Sequence, residues 1–296
     1  MRSRLWVLMI GLLTAALFPV EPIAQTSQTP SWPDPVPNRP LISEKDKKPA
    51  PRRSLAGMWG GLPGNRQVTN QSFGVHLKPN NGRPENELPY TPYGLALYKS
   101  HKALEGVDAV PPIATNDPRV RCEPLGMARH NHYDLGIQIF QDEYKLAMLY
   151  QYDNRWRIIW TDGRTLPTLV DGGVEMDGKF REARWWGYSV GKWVDDYTLE
   201  VQTVGTMAED RVWLDNTGRP ISDQLRVTET FRRLDHDSLE WSETIEDPKM
   251  YTRPWQTMKM PLALQDPRTD VMTRYCSPSE IAAYNAIYGD AVSSGK

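Results

Sequence analysis

Alternating hydrophobic and polar positions over residues 224–247 predict two strands joined by a tight turn. One face of the two arms carries the apolar side chains Leu225, Val227, Phe231, Leu239, Trp241 and Ile245. This period of two is typical of a half-buried antiparallel hairpin. A three-residue turn at 235–237 sets Phe231 opposite Trp241 and Glu229 opposite Glu243. Two carboxyl groups are therefore predicted side by side on an otherwise apolar face.

The same alternation recurs along most of the chain after residue 55. Further strands are predicted at 55–61, 134–141, 144–152, 155–161, 187–194, 197–204, 254–264 and 271–276. Short helices are predicted at 92–102, after Thr91, and at 278–288, after a capping box that begins at Ser277. The expected fold is therefore mainly β. A long antiparallel meander avoids exposed edge strands best by closing on itself. We therefore expect an antiparallel up-and-down barrel of about 8–10 strands, with short helices near both ends.

The first 54 residues differ in composition from the rest. Arg2 and Arg4, an apolar run at 5–20 and small residues up to Ala24 predict a signal peptide at 1–24. An uncleaved anchor is the alternative, although the run is shorter than the roughly 20 residues of a membrane span. Proline-rich residues 25–54 are predicted to be a disordered linker. A single barrel domain at 55–296 is then periplasmic or secreted, with no stable membrane span.

Composition excludes several partners and cofactors. The net charge of −2 and the lack of a basic motif exclude nucleic acid. No nucleotide-binding fingerprint occurs, and no cofactor is expected. The two cysteines, Cys122 and Cys276, predict a disulfide in an oxidising compartment. Two buried thiols or a reactive cysteine are the alternatives.

Several segments resemble a large family of exported bacterial proteins of unassigned activity. The matching motifs are TDGR at 161–164, GYSVGKW at 187–193, YTLEVQTVG at 197–205, WLD at 213–215, RVTETFRRLD at 226–235 and EDPKMYTRPW at 246–255, with LAGMW at 55–59 and TPYG at 91–94. The resemblance implies an exported barrel of about eight to ten strands and no reaction. Within LAGMW, Gly57-x-Trp59 is similar to the start of lipocalin-type barrels, where the tryptophan plugs the closed end. Family members often carry an aliphatic residue at the position of Glu243, and many carry histidine at that of Ile221.

Glu229 is the first candidate catalytic residue. Burial on an apolar face, with a second carboxyl opposite, raises a carboxyl pKa toward the range that a general acid or base needs. The alternative is that this face lies outside the barrel, with both carboxylates wet or paired with Arg233 and Arg253. A glycosidase pair is excluded, because two cross-strand neighbours point the same way and cannot flank a sugar ring.

Asp162 and Asp215 are the other candidate catalytic carboxylates. They are predicted to lie at the barrel rim with Trp213, Ser222 and Asp223, and Arg164 is predicted to hold a carboxylate or phenolate of a ligand. The alternative is that TDGR forms a simple turn.

Tryptophan and tyrosine far outnumber phenylalanine, so most large rings carry a polar group. Tyr144, Tyr150, Tyr152, Trp156 and Trp160 share one strand parity and are predicted to face the cavity together. The predicted ligand-binding rings are Tyr150, Trp160, Tyr188, Trp213, Phe231, Trp241, Tyr251 and Trp255. Such rings suit an aromatic, terpenoid or sugar ligand. A well-packed barrel core is the alternative.

Histidines do not indicate a metal site. Alternation over 130–134 would place His130, His132 and Asp134 on one side, but the further ligands that zinc or copper needs are missing. His76 and His101 are predicted at the surface and His236 in the turn.

We therefore predict a barrel that binds a small apolar or aromatic molecule in its cavity. The alternative is a cofactor-free isomerase, cyclase, lyase or hydrolase that uses Glu229 as acid or base and Arg164 to orient the substrate. A third hypothesis is an envelope interaction module.

Overall fold

A computed structural model describes residues 47–60, 77–132, 136–176, 178, 180–208, 211–269, 271, 275–284 and 286. The predicted signal peptide, the linker up to residue 46, His76 and Asp134 lie outside these residues. The described strands are β1 (Gly57–Gly60), β2 (Ile137–Gln141), β3 (Lys145–Tyr150), β4 (Trp156–Trp160), β5 (Leu169–Val170), β6 (Gly173–Met176), β7 (Phe180–Glu182), β8 (Tyr188–Trp193), β9 (Thr198–Val204), β10 (Arg226–Arg233), β11 (Ser238–Glu246), β12 (Trp255–Gln256) and β13 (Met260–Leu264). The helices are α1 (Pro92–Ser100) and α2 (Pro278–Tyr284).

Nine strands close into a barrel, as the alternation predicts. The order around it is β1, β13, β11, β10, β9, β8, β4, β3, β2 and back to β1, and β12 pairs with the C-terminal end of β11. The expectation of a wholly antiparallel barrel is wrong, because β4 and β8 run parallel. The connection between them returns to the end of the barrel where β4 began, and it contains the small sheet β5–β6–β7, which was not predicted. The predicted strand at 254–264 divides into β12 and β13, and residues 271, 275 and 276 are not in a strand.

The β10–β11 hairpin has the predicted register. Phe231 pairs with Trp241, and Glu229 pairs with Glu243. The Leu234 amide donates to the Ser238 carbonyl at 2.9 Å and closes the turn. Both glutamates therefore point to the same side of the sheet, which is the barrel interior.

Two apolar cores fill the described part of the molecule. The first lies inside the barrel and includes Trp59, Ile159, Val201, Phe231 and Trp241. The second lies where β10 begins and β11 ends, and most of it belongs to residues 77–132, 211–225 and 247–256, which we call the cap. The cap includes α1, whose N-cap Thr91 accepts a hydrogen bond from the Gly94 amide as predicted. Val227 and Ile245 extend from the barrel wall into the cap core.

The other end of the barrel is closed. Trp59 is fully buried and donates from Nε1 to the Leu55 carbonyl at 2.8 Å. The Arg233 guanidinium lies 4.8 Å from the Trp59 ring centroid and donates to the Ser54 and His236 carbonyls. Residues 47–54, assigned to the linker from the sequence, are bound here: the His236 amide donates to the Lys48 carbonyl.

A disulfide joins Cys122 and Cys276, as predicted, over a sequence separation of 154. Cys276 lies just before α2, and Cys122 lies in the cap. The disulfide therefore connects the start of α2 to the cap. Among the described helices, neither α1 nor α2 has the length and apolar character to span a bilayer.

Candidate functional site

A layer of buried polar side chains separates the two apolar cores. We call it the polar layer; its members are Asn131, His132, Tyr150, Arg157, Ser189, Thr203, Glu229 and Glu243. None of them is more than 3% exposed. Six come from the inward-facing positions of β3, β4, β8, β9, β10 and β11 that lie nearest the cap. The other two come from a 3-10 helix in the cap, Arg129–His132.

Arg157 and Glu229 form the central ion pair of the polar layer. Arg157 Nη1 donates to Glu229 Oε1 at 2.9 Å, and Arg157 Nη2 donates to Glu229 Oε2. The guanidinium also donates to Ser189 Oγ and, at 2.8 Å, to Thr203 Oγ1. Burial raises the pKa of Glu229, the charge and hydrogen bonds of Arg157 oppose that rise, and the carboxyl of Glu243 adds to it. With both carboxylate oxygens engaged by Arg157, Glu229 is a poor candidate for the free acid or base.

Asn131 connects the cap to both carboxyl groups. Its Nδ2 donates to Glu229 Oε1 at 3.1 Å and to Glu243 Oε1 at 2.7 Å. Tyr150 Oη donates to Asn131 Oδ1 at 2.6 Å. Burial raises the pKa of the Tyr150 phenol, which keeps it in the donating form. The amide is thus oriented by its neighbours, with nitrogen toward the carboxyls and oxygen toward the phenol.

His132 and Glu243 form a second pair. His132 Nε2 lies 2.9 Å from Glu243 Oε2. Both residues are at most 3% exposed, so this contact is made away from solvent.

His130 lies beside the polar layer in an aromatic setting. Its ring stacks on Tyr150 at 4.3 Å between centroids and lies 5.4 Å from the Trp186 ring. Its Nε2 donates to the Tyr152 carbonyl at 3.0 Å, and burial lowers its pKa to about 3. Within the described part of the chain, His130 Nδ1, Trp186 Nε1 and Trp241 Nε1 are buried and have no hydrogen-bond partner.

Besides Glu229, three predicted site residues lie at or beside the polar layer. Tyr150 belongs to it, and Phe231 and Trp241 pack directly below it in the barrel core. The alternative, in which Glu229 and Glu243 lie on the outer face and pair with Arg233 and Arg253, is wrong. Glu229 is fully buried, and Arg233 donates to the Ser54 carbonyl at the closed end of the barrel.

Asp162, Arg164, Trp160 and Tyr188 form a separate cluster on the outer surface of the barrel. The Arg164 guanidinium lies 3.5 Å from the Trp160 ring centroid, donates to Tyr188 Oη at 2.9 Å and pairs with Asp162 at 2.7 Å. Gly163 has a φ of +84°, and the Arg164 amide donates to Asp162 Oδ1. TDGR is thus a turn, as the alternative prediction states, and the structure does not bring Asp162 or Arg164 to Glu229.

The prediction that five rings share the interior is wrong. Tyr150 points inward, but Trp156 is 66% exposed and Tyr144 is 55% exposed. On β4 the inward positions belong to Arg157 and Ile159 instead of the tryptophans. The physical reason is the ion pair with Glu229, which draws the charged residue of this strand inward.

Of the predicted rim residues in the long loop, Trp213, Asp215 and Ser222 are buried in the cap. Asp223 is half-buried and pairs with Lys249 at 2.6 Å. The predicted ligand-binding rings Tyr251 and Trp255 are also buried, in the cap core. Asp215 is fully buried and accepts a hydrogen bond from Arg219 Nη1 at 2.8 Å. Its carboxylate is therefore neutralised within the cap, and the expectation that it frames a pocket mouth is wrong. His101, predicted at the surface, stacks on Trp213 at 4.4 Å.

Sequence reasoning missed the roles of Arg157, Asn131 and His132. The HNH segment forms a 3-10 helix instead of an extended strand, and its two imidazoles have different partners. Among residues with a described position, no group of three or more His, Cys, Asp or Glu is arranged to hold a metal ion. Comparisons with protein-family models, with curated proteins and with solved structures found no match for this chain.

Proposed function

We propose that this protein is an exported barrel that binds a small apolar or aromatic molecule where the cap meets the barrel. Ligand sites in proteins commonly lie at such junctions and combine aromatic walls with a few polar groups. The observation that carries the proposal is the polar layer itself. A buried group of two carboxyls, an arginine and a histidine is costly, and apolar side chains of similar volume often stabilise a core better. Groups of this kind are concentrated at functional sites.

The aromatic rings around the polar layer fit the same ligand class. Tyr150 and His130 stack on one side, and the Trp241 ring lies 6.0 Å from that of His132. Flat apolar rings with polar edges favour a ligand that is itself flat and mostly apolar.

Export agrees with the disulfide, since such bonds persist mainly in oxidising compartments. The motifs shared with the exported bacterial family support the same compartment, the periplasm or the medium.

Calorimetric titration with naphthalene tests the binding proposal. We expect saturable binding with one molecule per chain, abolished by Trp186→Ala at the junction and retained by Trp156→Ala on the outer face. The melting temperature of each unliganded variant shows whether it is folded. Binding that is equal in the two variants, or absent from the wild type, would contradict a site at the junction.

A second candidate function is proton transfer, which the 2.9 Å contact between His132 Nε2 and Glu243 Oε2 favours. A carboxylate-supported imidazole takes a proton from an acidic carbon and returns it elsewhere or to the same carbon. The probe is 2-tetralone in D₂O, with exchange at its α-carbon followed by proton NMR. We expect the wild type to accelerate exchange and His132→Gln to lose the acceleration while naphthalene affinity is kept. Equal exchange with both proteins would contradict this role.

A further inference from the structure

Two unpartnered atoms at the junction differ in hydrogen-bonding character. The Tyr152 carbonyl can only accept, so His130 Nε2 must carry the hydrogen in the bond between them. The low pKa of His130, caused by burial, keeps the ring neutral near pH 7. His130 Nδ1 is therefore a lone-pair acceptor. Trp186 Nε1 carries a hydrogen and is a donor.

The two rings that carry these atoms are neighbours at the junction. The His130 and Trp186 ring centroids are 5.4 Å apart. Two hydrogen bonds of about 2.9 Å to one oxygen span up to about 5.8 Å. Both atoms are shielded from solvent, and neither has a partner among the residues described. Leaving a donor and an acceptor buried without partners is unfavourable. A ligand group that hydrogen-bonds to both therefore binds with a more favourable free energy.

We propose that the ligand of this barrel carries a hydroxyl group on an apolar ring system, which donates to His130 Nδ1 and accepts from Trp186 Nε1. This inference rests on the proposed binding function and defines its ligand class. A hydroxyl is a donor and an acceptor at one atom, whereas a carbonyl or an ether oxygen only accepts and satisfies Trp186 alone. The Tyr150 ring, stacked on His130, supplies an apolar surface beside the hydroxyl.

The experiment compares 2-naphthol, 2-methoxynaphthalene and naphthalene by calorimetry at pH 7. We expect 2-naphthol to bind at least about tenfold more tightly than the other two, because only it engages both atoms. The measured quantity is the ratio of the naphthol and naphthalene dissociation constants, in which general effects of a substitution on the site cancel.

Three variants test whether His130 and Trp186 cause the preference for 2-naphthol. Trp186→Phe keeps a ring and removes the donor, and His130→Phe keeps a ring and removes the acceptor, so each is expected to bring the ratio close to one. Trp193→Phe is the matched control: Trp193 packs against the same barrel core at the end of β8 that is farther from Ser189, and its variant should keep the ratio.

The outcomes separate the two proposals. If none of the three compounds binds the wild type, the binding function itself is wrong. If all three bind with similar affinity, the binding function stands and the hydroxyl preference is refuted. The preference is also refuted if it persists in Trp186→Phe and His130→Phe. Loss of the preference in both variants, with Trp193→Phe unchanged, supports it.

Discussion

Acidification should destabilise this protein through His130. The ring is 1% exposed, stacks on Tyr150 and is surrounded by the junction between cap and barrel. Its pKa is about 3 in the folded protein, against an ordinary value of 6.5. Between these values the unfolded chain binds a proton at this side chain and the folded protein does not, so stability falls as pH falls.

The size of the effect follows from the two pKa values. One pKa unit corresponds to about 1.4 kcal/mol, and the loss begins near pH 6.5. Between pH 7 and pH 4.5, His130 should therefore lower the free energy of unfolding by about 2.5 kcal/mol. That is a large share of the free energy of unfolding of a folded domain, which is typically about 5–15 kcal/mol. Above pH 7 the contribution of His130 should no longer change.

Urea unfolding at pH 7, 6, 5 and 4.5 measures this dependence. His130→Gln keeps a side-chain N–H for the Tyr152 carbonyl and does not titrate in this range. We expect the wild type to lose about 2.5 kcal/mol more than this variant over the series. His236→Gln is the matched control, because His236 lies at the turn between β10 and β11 with its side chain 37% exposed. Parallel pH profiles for the wild type and His130→Gln would refute the argument from burial.

Three further predictions concern stability and are measured by urea unfolding at pH 7. Glu229→Gln should lower the free energy of unfolding by about 3–5 kcal/mol, because it leaves Arg157 buried without its partner charge. The same substitution at Glu240, whose partner lies on the surface, should lower it by less than about 1 kcal/mol. Equal losses would contradict the central role of the ion pair. Replacing both cysteines with serine should cost about 5 kcal/mol, because a 154-residue separation leaves the unfolded chain much freer, and an unchanged midpoint would contradict this. Thr91→Ala should cost about 1 kcal/mol through loss of the helix cap, while Thr91→Ser should restore most of it.

Local patterns were sufficient to predict most strands of the barrel, the hairpin register and the disulfide. The turn between β10 and β11 determines the register, so the facing of Glu229 and Glu243 could be derived from spacing alone. Trp59, read as the plug of the closed end, is fully buried there. These features depend on residues that are near in sequence, or on residue types with few alternatives.

The remaining features depend on contacts between distant residues. Arg157 and Glu229 are 72 positions apart, and nothing in the local pattern of β4 shows that its arginine faces inward. Asn131 and His132 reach the carboxyls across 98 and 111 positions. The cap has no regular alternation, since it is built from loops, one α-helix and short 3-10 helices. For that reason the sequence pattern did not show that Trp213 and Asp215 are buried.

The parallel pairing of β4 and β8 is, together with that of β1 and β13, the narrowest join among the described strands of the barrel wall. Only two residue pairs connect β4 and β8, Ile159 with Ser189 and Trp160 with Val190. Arg157 reinforces the join, because its guanidinium reaches from β4 to Ser189 on β8. If this join parts, both strands become open sheet edges, which recruit strands from other molecules. Loss of Arg157 would then favour self-association through these two strands.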